Sequence, residues 1–381
     1  MVPEGWSNEP LSSVTSIIDC KHRTPVYVET GIPLVSPGTI KWGVLDLVSP
    51  VKRVSKEEYE TLMDHCTVEI GDLVMSRNQS VGIASYVESN EPFVLGQDTI
   101  LIKPIKVNSK FVFYKLQSEA VQRSIIKLAG GSTFSRINLG DIRKLNLDLP
   151  PLPEQKKIAK ILSTWDKAIT TTEQLLANSQ QQKKALMQQL LTGKKRLRDK
   201  NGVRFSGEWK HGHLSDVGKI TKGKALSSKD LIDGDYPVVA GGKSSPYSHK
   251  DFTHENVITV SASGAYAGYV AYHPYKLWAS DCSVILAKEN ADISFIYQLM
   301  SHMQTKIYSL QSGGAQPHVY PKDLEVLRVN IPSIEEQQKI AAVLSAADKE
   351  IEIIQQQLDQ LKQEKKALMQ QLLTGKRRVL V

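Results

Sequence analysis

The sequence predicts an α+β protein in which two α/β globular domains are separated by two long α-helices packed as an antiparallel coiled coil. Three observations predict this. The segment Pro150 to Arg196 aligns without a gap on Pro332 to Arg378 at a constant offset of 182 residues, with 27 identities in 47 positions. Each copy carries a helical apolar stripe, and each follows a stretch of short apolar runs broken by Gly, Pro, Ser and Asn. A period this long lies outside the ~20–50 residues of a solenoid repeat, so it marks a duplicated domain-plus-helix unit. The division expected is 1–148 globular, 149–201 helical, 202–330 globular and 331–381 helical.

In the globular parts, DLVMS at Asp72 to Ser76, ASYVE at Ala84 to Glu88, TILI at Thr99 to Ile102, VITVSA at Val257 to Ala262 and YVAYH at Tyr269 to His273 read as strands. Helical segments follow around Lys110 to Leu128 and Ile293 to Leu310. The duplication extends faintly into these parts: Trp6 matches Trp209, IPLV at Ile32 matches YPVV at Tyr236, Asp98 matches Asp281, and Gly130 and Gly131 match Gly313 and Gly314.

Each helix opens with proline punctuation, LPPLPEQ at Leu149 and IPSIEEQ at Ile331, and stops at Gly193 or Gly375. From Glu154 to Leu191 the first would be about 57 Å long. Apolar residues alternate in steps of three and four at Ile340, Leu344, Ala347, Ile351, Ile354, Leu358, Leu361, Leu368 and Leu372. The first copy keeps the register with Ile158, Leu162, Trp165, Ile169, Leu176, Leu186 and Leu190. Thr172, Ser179, Lys183 and Lys365 interrupt the seams. Two equal seams in one chain can satisfy each other; the alternative is that they join separate chains.

A composition of 41% hydrophobic and 23% charged residues in 381 is that of an ordinary globular protein large enough for more than one core. The net charge of +8 makes a polyanionic partner worth considering. Basic clusters follow both helices, at Lys194, Lys195, Arg196, Arg198 and Lys200 and at Lys376, Arg377 and Arg378. They are either solvated helix ends or phosphate contacts. No stretch nears the ~18 apolar residues of a membrane span, and MVPEGWSNEP lacks a signal peptide's basic and apolar regions. Cys20, Cys66 and Cys282 are too few and too scattered for a disulfide framework. A cytoplasmic location is expected.

Polar, aromatic and basic loops supply the candidate DNA-contacting residues. They are Lys21, His22 and Arg23; Arg77, Asn78, Gln79 and Ser80; Ser135 and Arg136; Lys243, Ser244, Tyr247, His249 and Lys250; Ser263 and Tyr266; and Gln316 and His318. Arg can grip guanine, Asn and Gln adenine, and Ser, Lys and backbone amides phosphate. Taken singly, each is equally a polar surface loop. Catalytic motifs are missing. DLPPL at Asp148 is not the Asn/Asp-Pro-Pro-aromatic motif of an adenine methyltransferase, and GGKS at Gly241 lacks the first glycine of a P-loop. No G-x-S-x-G elbow occurs, and no Cys or His spacing fits zinc, so neither a catalytic site nor a metal is expected.

A globular part, a PLPEQ-type helix start and a helix ending in LMQQLLTGK, all repeated, resembles the specificity (S) subunit of type I restriction-modification systems. GIPLVSPGTIK at Gly31 and GEWKHGHLSDVGKITKGK at Gly207 are similar to that family's domain openings. The resemblance spans essentially the whole chain. It implies two target-recognition domains, each reading one half of an asymmetric bipartite site in double-stranded DNA. The helices would fix the unread spacer. It also implies a subunit without catalysis of its own, docked to two methyltransferase (M) subunits that methylate adenine with S-adenosylmethionine and able to recruit two ATP- and magnesium-dependent restriction (R) subunits. Two other readings remain open from the residues: a stand-alone DNA-binding coiled-coil adaptor, and an enzyme with an unfamiliar site.

Overall fold

A computed structural model describes residues 2–49, 52–129, 135–242 and 247–380. Gly130 and Gly131, and the candidates Lys243 and Ser244, lie outside the described residues. The chain forms two compact units, Met1–Thr172 with Gln357–Val381, and Glu173–Gln356. Each long helix, α1 (Leu152–Leu190) and α2 (Ile334–Leu372), is therefore shared between the units.

Unit 1 is built on a five-stranded sheet. Its order is β1 (Thr15–Asp19), β3 (Thr99–Pro104), β2 (Leu73–Ser76), Ala84–Tyr86 and Gly43–Val44, antiparallel except for the last pair. The continuous apolar runs LVM and TILI follow from burial of both faces. Leu73, Met75, Ile100 and Ile102 point into one core with the helices Ser109–Gln117 and Glu119–Leu128. The alternate residues Val74 and Leu101 point into a second core, against a small sheet that contains Ile32–Val35. Unit 2 repeats the plan with β4 (Gly218–Lys222), β6 (Cys282–Ala287), β5 (Val257–Ser261) and Val270–His273, all antiparallel. The strand Tyr236–Val239 lies in its small sheet. Ile258, Val260 and Ile285 face one core, and Val257, Cys282 and Val284 the other.

Within each unit the start of one long helix packs antiparallel to the end of the other. In unit 1 Lys365 pairs with Asp166 at 2.5 Å; in unit 2 Lys183 pairs with Asp348. These lysines interrupt the apolar periodicity because they are cross-helix ion-pair partners, half-buried in the stripe. Along the seams Ile158, Leu162, Leu190, Ile340, Leu344, Ile354, Leu358 and Leu372 are buried. Trp165, Ile169, Leu176, Leu186, Ile351, Leu361 and Leu368 are half-buried.

The repeated Glu-Gln at each helix start has two tasks. Glu154 and Glu336, with side chains 3% and 1% exposed, each receive a bidentate guanidinium. Arg378 donates to Glu154 at 2.8 and 2.8 Å, and Arg196 to Glu336 at 2.6 and 2.7 Å. These two arginines of the basic clusters are thus committed to buried carboxylates, although the Arg378 side chain itself stays 45% exposed. Trp209 Nε1 also donates to Glu336 at 3.0 Å, while Arg378 lies over the ring of Trp6. The glutamines tie helix to globular part: Gln155 Oε1 accepts from the Asn108 N–H, and Gln337 Oε1 from the Asp292 N–H. Gly193 and Gly375 end the helical turns at φ 71° and 67°, where a side chain would be strained.

Replacing the fully buried Leu344 with Ala should cost about 3 kcal/mol, whereas Ile353→Ala on the exposed face should change stability by less than about 0.5 kcal/mol; urea unfolding of the two variants checks this. Glu336→Ala leaves the Arg196 charge unpaired and should also cost about 3 kcal/mol, read in the same experiment.

Candidate nucleic-acid interface

Three chain segments converge at one end of each central sheet. In unit 1 they are the loop that leaves β2, the residue that precedes β3, and the stretch before the helix Leu139–Arg143. The loop is held by backbone bonds: Arg77 N–H donates to Asp98 O (2.8 Å), and Ile137 N–H donates to Arg77 O (2.9 Å). Asn78 bridges Arg136. The Asp98 carboxylate accepts from Asn78 Nδ2 and from Arg136 Nη2, each at 2.7 Å. Ser80 Oγ donates to Pro37 O, drawing in the loop after Ile32–Val35. Gln79, at φ 54°, is exposed at the tip. Ser135 and the head of Arg136 are exposed beside it.

Unit 2 repeats this bracket atom for atom on the backbone. Ala262 N–H donates to Asp281 O (3.1 Å), Val319 N–H donates to Ala262 O (3.0 Å), and Ser263 bridges His318. The hydroxyl of Ser263 donates to the Asp281 carboxylate. Ser261 Oγ donates to Gly241 O (2.8 Å), drawing in the loop after Tyr236–Val239. Here a Cβ on Gly241, itself at φ 71°, would come within 3.0 Å of Asp281 Oδ2. The tip carries the exposed side chains of Tyr266, Gln316 and Tyr320, and the His318 ring stacks on Tyr320 at 10°. His318 Nδ1–H donates to Gln316 O (2.8 Å), which leaves Nε2 as the free ring nitrogen.

The structure therefore brings together Arg77, Asn78, Gln79, Ser80 and Arg136 in unit 1, with Ser135 adjacent, and Ser263, Tyr266, Gln316 and His318 in unit 2. Two candidates are interior. Arg77 is 5% exposed, its Nη1 held by both Asp19 oxygens at 2.8 and 2.9 Å. His249 is 3% exposed and packs on Trp278 at 4.5 Å, with Nδ1 accepting from the Asp251 N–H. Lys21 and Arg23 pair with Asp64 and Glu58, on or just past the helix Lys56–Met63, and His22 contacts Asp19. Tyr247 and Lys250 are exposed immediately before and after Ser248–His249, a separate strand of the small sheet of unit 2.

Asp98 and Asp281 were legible as a repeated pair but not as site residues; the signal was an aspartate fixed immediately before matching strands. Asp19, Cys20 and His22 also bring potential metal-ligand atoms within 4.8 Å of one another. That carboxylate is already neutralised by Arg77, and burial pushes the Cys20 thiol up, away from the thiolate a metal needs.

Among the described residues, no helix is long and apolar enough to cross a membrane. The sequence model of the family described as "Type I restriction modification DNA specificity domain" matches residues 3–178 and again 206–363. A relative from Methanocaldococcus jannaschii, the putative type I restriction enzyme MjaX specificity subunit, is 28% identical over 412 aligned residues, covering 99% of this chain and 95% of its own. The EcoKI specificity subunit of Escherichia coli is 26% identical over 203 residues, covering 50% of this chain and 43% of its own. The S subunit of a type I system from M. genitalium has a similar fold, with a TM-score of 0.70, 18% identity and 96% of each chain covered. With both globular parts matched by one family and a relative aligned almost end to end, this chain belongs to the type I restriction-modification specificity subunits.

Proposed function

We propose that this chain binds double-stranded DNA and reads an asymmetric bipartite site, one half with the loop bracket of each unit. The reading rests on a single observation: one backbone frame occurs twice, with different side chains at its tips. In unit 1 the tip offers Asn78, Gln79 and Arg136, suited to adenine and guanine edges. In unit 2 the same positions carry Ser263, Gly264 and His318, with Tyr266 and Gln316 beside them. Identical frames with unlike tips make two readers of unlike sequence, hence an asymmetric site. Phosphate contacts by serine hydroxyls and neighbouring lysines would position the duplex, and base contacts would specify it.

The chemistry is assigned to partners. The chain lacks the adenine-methyltransferase and P-loop motifs, so S-adenosylmethionine, ATP and magnesium would be bound by two methyltransferase and two restriction subunits. The doubled helix segments offer each of two identical methyltransferases an equivalent surface. Recognition by this chain would direct them to methylate adenine or to cleave unmodified DNA.

Co-expression with a type I methyltransferase subunit, followed by modification-sensitive genome sequencing, should reveal a split, asymmetric motif methylated on both strands and absent when this chain is omitted. Methylation that persists without the chain would favour a stand-alone adaptor. Arg136→Ala should lower discrimination by about 1–3 kcal/mol at one base pair of one half-site and leave the other half-site alone; methylation rates on single-mismatch duplexes measure it.

A further inference from the structure

We propose that Asp98 and Asp281 are positioning residues that set sequence fidelity, each for the half-site read by its own unit; this rests on the loop brackets being the readers. The two occupy the same place, one residue before β3 and β6, and act on their loops in the same way. The backbone carbonyl takes the N–H of the first loop residue, Arg77 or Ala262. The carboxylate takes the side chain of the second, Asn78 or Ser263. A side chain that would otherwise sample several rotamers is thereby aimed in one direction.

Backbone strain marks the position in unit 1. Asp98 sits at φ 62°, a region that costs a residue with a Cβ roughly 1–2 kcal/mol. From there its carboxylate reaches two loops, Asn78 on one and Arg136 on the other. In unit 2 Gly241 is left-handed, which lets a neighbouring loop close directly on Asp281.

The sign of the charge separates this role from simple attraction. A carboxylate at a surface that meets a polyanion weakens binding, so its presence there is explained by orientation. Paired to Asp98, Arg136 keeps N–H groups for a base edge but is not free to swing onto any phosphate. Asp98 thus gives up affinity for discrimination, which is specificity obtained by penalising wrong complexes.

The test uses Asp98→Asn in the complete chain complexed with its methyltransferase. Asparagine is nearly isosteric and tolerates the left-handed region, but one oxygen must then serve two donors. Relative methylation of duplexes with one wrong base pair in the first half-site should rise about tenfold, the effect of losing one charge-assisted hydrogen bond. Discrimination in the second half-site should stay within about twofold of the parent. Binding to a random duplex should become tighter, because a negative charge is gone and Arg136 is released. Asp281→Ala should give the mirror result, relaxing the second half-site only, and carries the test if the first variant does not fold. Unchanged discrimination at both half-sites, or an equal loss of binding to all duplexes, would overturn the proposal. If Arg136→Ala also leaves both half-sites unchanged, the reading of the loops fails with it; if Arg136→Ala relaxes the first half-site and Asp98→Asn does not, only the positioning role fails.

Discussion

Both units depend on a buried carboxylate gripped by a guanidinium from a distant part of the chain. Glu154 and Arg378 lie 224 residues apart in sequence, Glu336 and Arg196 140. Each pair fastens the start of one long helix to the turn after the other, and the neighbouring glutamine fastens the same helix start to the globular part. A carboxylate so shielded from water is stable only with its partner in place, so the two chain segments stand or fall together. The fork also accounts for the repeat itself. The start of each helix must fit the end of the other, and KKALMQQLLTGK occurs in both because each copy meets an equivalent surface. Asp166 and Asp348 receive Lys365 and Lys183 by the same logic.

The loop brackets follow the opposite rule. Their frame is made of backbone hydrogen bonds and one aspartate, so side chains at the tips can differ without loss of the loop's shape. Arg77 in unit 1 is replaced by Ala262 in unit 2, yet both make the same two backbone bonds. What changes is local: Arg77 reaches down to Asp19, while unit 2 has Lys222 at the position of Asp19 and no guanidinium to match. A scaffold that holds its tips through the main chain can be given new tips without being redesigned.

Much of this was legible in the sequence, for identifiable reasons. The long helices declared themselves through period and punctuation, and the strands Leu73–Ser76 and Val257–Ser261 through their apolar runs. The loops SRNQS and STFSRIN, and SASGAYAG and AQPHVY, were each visible as polar segments, but the convergence of their described parts, Ser135–Asn138 in the case of STFSRIN, was not, since strand order decides it. Sequence reading also could not separate Arg136, whose head is exposed, from Arg77, whose head is buried; both are arginines in polar loops. Likewise Lys183 and Lys365 looked like defects in a seam until their aspartates were placed opposite. Partners far apart in the chain leave no local mark.

The composition of the units bears on the order in which they can form. Unit 2 is one unbroken stretch, Glu173–Gln356, complete once that much of the chain has left the ribosome. Unit 1 is not: its core includes Leu372 and Leu373 beside Leu11 and Phe111, and buried Lys115 donates to the carbonyl of Leu373 at 2.7 Å. Leu11 and Phe111 must therefore wait for Leu372 and Leu373, a loop closure whose entropic cost falls on contacts of very high sequence separation. During that interval the apolar face prepared for Leu372 has no occupant. Unit 2 can form from its own unbroken stretch, whereas unit 1 is completed only after the segment that follows unit 2 has been made.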